Sequence, residues 1–194
     1  METGCIQLSE LYSYVKNDPK GHALHGNSKE GRKFGRLAKG IVGSIKNEHG
    51  FYLWGKYEAN GLWRHIYLGK AGYGKTASLQ ARILEELKDE KAFLWRNTID
   101  EETLLAIGKK HYPKMWYSYE KHWKRAFRKV GSTHIIWVTT PDLNNKDVEM
   151  VESDLIETIN PIANYQRPTP KSELQDYTVK VIKSFKHHIH KNRN

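Results

Sequence analysis

Residues 69–76 read Gly-Lys-Ala-Gly-Tyr-Gly-Lys-Thr. That spacing fits a loop whose backbone amides and lysine cradle the phosphates of a nucleotide. A strand-like run, Arg-His-Ile-Tyr-Leu, precedes it, and a helix-like run beginning at Ser78 follows it. Side chains suited to phosphate chemistry also include Tyr52 and Tyr67 before it, Lys70 within it, and Arg82 and Glu152 after it. Hydrolysis of a phosphoester needs an activated water, neutralised charge at phosphorus and help for the leaving oxygen.

A nucleotide hydrolase needs more than its loop. It needs a central strand in a parallel sheet, and a second strand ending in an Asp that holds magnesium. The run His-Ile-Ile-Trp-Val-Thr-Thr ends in Thr-Thr-Pro, with Asp142 only after the proline. The strand entering the loop follows a tight Asn60-Gly61 turn, so it runs antiparallel to its predecessor. The nucleotide reading is therefore the weakest of three, below an enzyme acting on DNA and a non-catalytic DNA-binding module.

Bulk properties agree with a polyanionic partner. The chain has 194 residues and a formal net charge of +10, with six Trp and an aromatic content of 11%, several aromatics lying beside basic residues. One cysteine, Cys5, cannot form an internal disulfide. With no leader-like start and no apolar run of about 18 residues, the expectation is a cytoplasmic protein without a membrane partner.

The elements that must position these residues follow from periodicity and turn chemistry. Residues 1–20 read as a short helix ended by Pro19, and 20–40 as a mobile basic arm carrying Arg32, Lys33 and Arg36. Two strands near 51–57 and 62–69 flank the Asn-Gly turn, expected to be type I′ with both central residues at positive φ. A helix carries Leu79, Ile83 and Leu87 at i, i+4 spacing. Two more helices are expected over 98–110 and 113–130. The latter sets Tyr119, Trp123 and Phe127 on one stripe, with Lys121, Lys124, Arg125 and Arg128 around it. A third strand spans 133–140. A helix capped by Asp142 or Asn144 runs to about Asn160 before Pro161, and a last helix spans about 172–186 ahead of a basic tail.

The strand pair resembles the signature of the GIY-YIG nuclease family. Gly50-Phe51-Tyr52 stands for the first triplet and Tyr67-Leu68-Gly69 for the second. Ser78-Leu79-Gln80-Ala81-Arg82-Ile83 matches the family's arginine helix. Glu152-Ser153-Asp154-Leu155-Ile156 and Pro161-Ile162-Ala163-Asn164 match its later glutamate and asparagine motifs, in order. The resemblance covers about 50–83 and 134–165. There are departures. About five extra residues separate Gly69 from the arginine helix, and Glu86 stands where many members carry a histidine. Lys70, His49 and His65 remain alternatives for a proton shuttle.

The resemblance implies roles for particular residues. Glu152 would anchor a divalent ion, Mg²⁺ or Mn²⁺, since a lone carboxylate with water and phosphate suits a hard cation. Its structural alternative is a rim glutamate that reaches water. Arg82 would neutralise phosphate charge, the alternative being a surface salt bridge with Glu85 or Glu86. Tyr52, paired across the hairpin with Tyr67, would assist water activation. A tyrosine, with a pKa near 10, needs a nearby cation for that work, and Lys70 is the candidate. The two rings can equally be packing aromatics. Asn164 would bridge the two signatures by hydrogen bonds.

The resulting expectation is an α+β fold with a small three-stranded antiparallel sheet flanked by helices. Residues 1–45 would form the N-terminal helix and basic arm. Residues 46–170 would form the nuclease domain, with a helical insert at 95–130, and 171–194 the C-terminal helix and tail. The function implied is metal-dependent cleavage of double-stranded DNA; the length of the chain points to a restriction or mobile-element type, and a homodimer on DNA is compatible with it. Contacts to DNA are expected from Arg32, Lys33, Arg36, Lys75, Lys121, Lys124, Arg125 and Arg128.

Overall fold

A computed structural model describes residues 1–16, 28–72, 77–88, 132–161, 164 and 172–193. The helices expected at 98–110 and 113–130 lie outside the described residues. So do Lys75, Lys121, Lys124, Arg125 and Arg128.

The fold is α+β, with a four-stranded antiparallel sheet and five helices among the described residues. The strands are β1 (Thr3–Gln7), β2 (Gly50–Tyr57), β3 (Trp63–Ala71) and β4 (His134–Thr139), in the order β1-β4-β2-β3. The helices are α1 (Ser9–Lys16), α2 (Lys29–Ile41), α3 (Leu79–Lys88), α4 (Asn145–Ile159) and α5 (Gln175–Lys191), the last entered through a 3₁₀ turn at Ser172–Leu174.

Three expectations are corrected. The sheet has four strands, because Thr3–Gln7 pairs antiparallel with β4, Cys5 facing Ile136. A five-residue Thr-Gly-Cys-Ile-Gln segment carries no alternation of its own and becomes a strand only because β4 offers an edge. The described half of the expected basic arm is an ordered helix, α2. Ser28 caps it, its hydroxyl accepting from Gly31 N at 2.8 Å. Gly31, Phe34 and Ala38 face inward while Arg32, Lys33 and Arg36 are exposed. The third correction is the hairpin turn. Positive φ occurs at Gly61 (73°) but not at Asn60. Gly61 N bonds Glu58 O and Glu58 N bonds Leu62 O, each at 2.8 Å. This is a type I turn closed by a glycine bulge, not a type I′ turn.

β2 is central, paired with β3 on one side and β4 on the other. Each face of the sheet is covered by helices. On one face Tyr52, Trp54, Ile135 and Trp137 pack with Leu11, Phe34, Ala38, Leu79, Ile83 and Leu87 from α1, α2 and α3. On the other, Phe51, Leu53, Leu68, Ile136 and Val138 pack with Val148, Val151 and Leu155 of α4 and Val181 and Phe185 of α5. Strand alternation sends neighbouring residues of β2 to opposite cores. β3 is an edge strand antiparallel to β2, the reverse of the central parallel strand that a nucleotide-binding loop follows. No described helix is long and apolar enough to cross a membrane.

Candidate functional site

The site gathers at the C-terminal half of β3 and the start of β2. Tyr52 sits directly opposite Gly69, while Tyr67 sits opposite Trp54. The two tyrosines are therefore diagonal neighbours rather than a facing pair, with ring centroids 6.3 Å apart. The Tyr52 ring lies across Gly69: a Cβ built there would overlap Tyr52 Cζ and Oη. Glycine in the second triplet thus makes room for the tyrosine of the first.

Tyr52 is fully buried. Its hydroxyl donates to Glu86 Oε1 at 2.6 Å. Arg82, one turn earlier on α3, donates from Nε to the same hydroxyl at 3.4 Å and sits 3.1 Å from Glu86 Oε1. A further guanidinium nitrogen of Arg82 lies 2.8 Å from Glu85 Oε2. Burial works against the Arg82 cation, but Tyr52, Glu86 and Tyr67 outweigh it, so its pKa is raised. Arg82 therefore pairs with Glu85 at the surface and with the buried Glu86, together with the tyrosine contact.

Glu86 joins the site through Tyr52 and Arg82, although in the sequence it stands out only as a departure from the family pattern. It is 3% exposed, and a carboxylate so placed is costly unless bonded. Its signal was available: it falls four residues after Arg82 and on the same stripe as Ile83 and Leu87. Of the alternative shuttles, Lys70 is at the site. His49 Nδ1 instead lies 3.2 Å from Leu143 O. His65 has a lowered pKa, from burial and then from Lys186.

Lys70 faces Phe51 across the hairpin, on the α4 side of the sheet. Its Nζ lies 2.9 Å from Glu152 Oε2 and 3.6 Å from Glu149 Oε1. Glu149 and Glu152 are three residues apart on α4, hence on one helix face. Asn144 fixes that helix, its Oδ1 accepting from Asp147 N at 3.0 Å, and Asn160 closes it at φ 51° before Pro161. Glu152 is a rim residue, its side chain 21% exposed. Burial raises its carboxyl above the ordinary range; Lys70 draws it back, Glu149 raises it, and the charge of Arg82 lowers it. That influence ties Arg82, from the other side of the sheet, to the same electrostatic neighbourhood.

Asn164 acts on one signature rather than bridging both. Its Nδ2 donates to Leu68 O and its Oδ1 accepts from Leu68 N, each at 2.9 Å. The amide thus occupies the outward backbone groups of Leu68 on an edge strand, which would otherwise be open to another chain.

The donor set bears on which metal fits. Among the described residues no three His, Cys, Asp or Glu side chains form a metal-binding group. Glu152, with Glu149 beside it, offers one or two carboxylates. That suits a hydrated Mg²⁺ or Mn²⁺ completed by phosphate and water, and not a protein-built cage.

Of the residues expected from the sequence, Tyr52, Tyr67, Lys70, Arg82, Glu152 and Asn164 come together at this end of β3. Arg32, Lys33 and Arg36 lie on α2, over the Tyr52 face. No family model matches the chain, and neither a curated protein nor a solved structure matches it.

Proposed function

We propose that the chain is a metal-dependent DNA endonuclease of the GIY-YIG type. The observation that carries this reading is the convergence of matched positions far apart in sequence. Glu152 pairs with Lys70, Arg82 bonds Tyr52, Tyr52 lies over Gly69, and Asn164 holds Leu68. Five short motifs matched by accident have no reason to meet at one end of one strand.

In this reading Arg82 meets the phosphate from the Tyr52 side and Lys70 from the α4 side. Glu152 would hold the metal ion, which when bound supplies charge neutralisation and acidifies water. Tyr67, half-buried beside Tyr52, is the tyrosine nearer to solvent. Tyr52 and Glu86 hold Arg82 in place. The scissile phosphate displaces Lys70 from Glu152, because an incoming anion competes with the carboxylate for the ammonium.

The test is cleavage of duplex DNA with Mg²⁺ or Mn²⁺. Glu152→Gln should abolish cutting and leave binding intact. A Glu152→Gln protein that cuts like the wild type overturns the site.

A second reading is a non-catalytic DNA-binding module on the same fold. One observation favours it: Arg82 already meets two carboxylates and Lys70 two more. It predicts duplex binding with no nicking under any divalent ion.

A further inference from the structure

The outward face of α5 is basic along most of its length. Lys180, Lys183, Lys186, His187, His190 and Lys191 are all exposed, and Arg193 follows just past the helix end. The opposite stripe, Thr178, Val181 and Phe185, is buried against the sheet. After Asp176 the helix has no acidic residue.

Helix-dipole stabilisation explains basic residues only in the last turn. It covers His190 and Lys191 but not Lys180 or Lys183, which lie two to three turns earlier. The contrast with other cations is sharper. Lys46 pairs with Glu2, Arg64 with Glu58, Lys70 with Glu149 and Glu152, and Arg82 with Glu85 and Glu86. Among the described residues no carboxylate pairs with Lys180, Lys183, Lys186, Lys191 or Arg193; Lys180 lies over the Tyr177 ring at 6.0 Å. Five cations and two histidines on one side, with no counter-charge among the described residues, form a concentrated positive stripe.

We infer that this face of α5 docks the phosphate backbone of duplex DNA. From residue 180 to 191 the helix rises roughly 16 Å, the axial length of about five base pairs. The stripe carries no exposed Phe, Tyr or Trp ring on which unpaired bases would stack, which favours a duplex over a single strand. The apolar side of the helix is committed to the core, so it is not available for insertion into a lipid surface. α5 also covers the sheet face that carries Lys70 and meets α4, the helix of Glu152. A duplex on α5 therefore lies on the Glu152 side of the sheet. The inference deepens the nuclease reading and rests on it for the choice of DNA, while binding itself requires no cleavage.

The experiment compares the full chain with a variant carrying Lys180→Gln, Lys183→Gln, Lys186→Gln and Lys191→Gln. Glutamine keeps helix propensity, and circular dichroism checks the fold. Binding of a labelled duplex is followed by anisotropy in EDTA from about 50 to about 200 mM salt. Each lysine on a phosphate contributes about 0.9 to the log–log salt slope, so four contribute about 3.6. The expected result is a slope shallower by about 3 and affinity at least roughly tenfold weaker at low salt. Unchanged affinity and slope overturn the inference, as does absence of duplex binding by the wild type. Lysine-dependent binding to phosphatidylserine vesicles in place of duplex also overturns it. A chain that binds duplex through these lysines but never cuts retains the surface and defeats the nuclease reading; one that cuts while ignoring them does the reverse.

Discussion

The hydroxyl of Tyr52 donates to Glu86 Oε1 across 2.6 Å, and both side chains are buried. This bond joins the central strand to α3 beneath Arg82, which touches both partners. The arginine's direction is thus set from below. Tyr52→Phe removes the donor while keeping the ring. Loss of a hydrogen bond to a buried charged group costs about 1–3 kcal/mol. Urea unfolding should show that loss, and a Phe variant as stable as the wild type would disprove the bond.

Gly69→Ala should be more damaging than its size suggests. The added methyl meets the Tyr52 ring on a strand that cannot retreat from its partner. Overpacking of this kind costs about 1–3 kcal/mol. In Tyr52→Leu the ring is gone, so the same Gly69→Ala change should cost much less. A double-mutant cycle reads the coupling directly; simple additivity would remove Gly69 from the account of Tyr52.

Lys70 should govern the acid limb of activity. Burial raises the Glu152 carboxyl and Lys70 opposes that rise. On the proposed nuclease reading the carboxylate must be ionised to hold a cation, so cleavage should fall as pH drops through its pKa. Lys70→Met removes the opposing charge, and the acid limb should move to higher pH. An acid limb that stays put or moves lower separates Lys70 from Glu152 in function.

A different group should limit stability in mild acid. Burial lowers the pKa of His134, which packs edge-on against Tyr57 at 5.4 Å between centroids. The unfolded chain binds its proton near pH 6.5, above the folded protein. The neutral ring's contribution is therefore complete above about pH 6.5 and is lost as pH falls through the lower folded value. His65 and His188 are lowered too, burial being the largest cause for each. Melting temperature should drop as pH falls below about 6.5. His134→Phe should lessen the drop without abolishing it, and an equally steep drop in that variant would exclude His134.

Much of the framework was legible locally. Asn60-Gly61 marks the hairpin, Asn144 and Pro161 bracket α4, and Leu79, Ile83 and Leu87 mark the buried stripe of α3. These signals are short-range: turn geometry, caps and helical period act over a few residues. Ser28 before a Gly31, Phe34, Ala38 pattern also marked a helix, hidden by the glycines and charges around it.

Tertiary structure decided the rest. Thr3–Gln7 becomes a strand only through β4, whose residues lie about 130 positions away. The turn adopts a glycine bulge because the Glu58–Leu62 pair closes a loop of three residues, Ala59, Asn60 and Gly61, whereas a type I′ turn spans two. The chain names Glu86 and Arg82 as a helical pair, but Tyr52 joins them only when β2 is laid against α3. Lys70 and Glu152 are 82 residues apart in number, and their pairing depends on α4 crossing the edge strand. Residue types and local periods are written in the chain itself. Burial, register and the meeting of distant charges arise only when both faces of one sheet are closed, because each depends on what the other elements exclude from water.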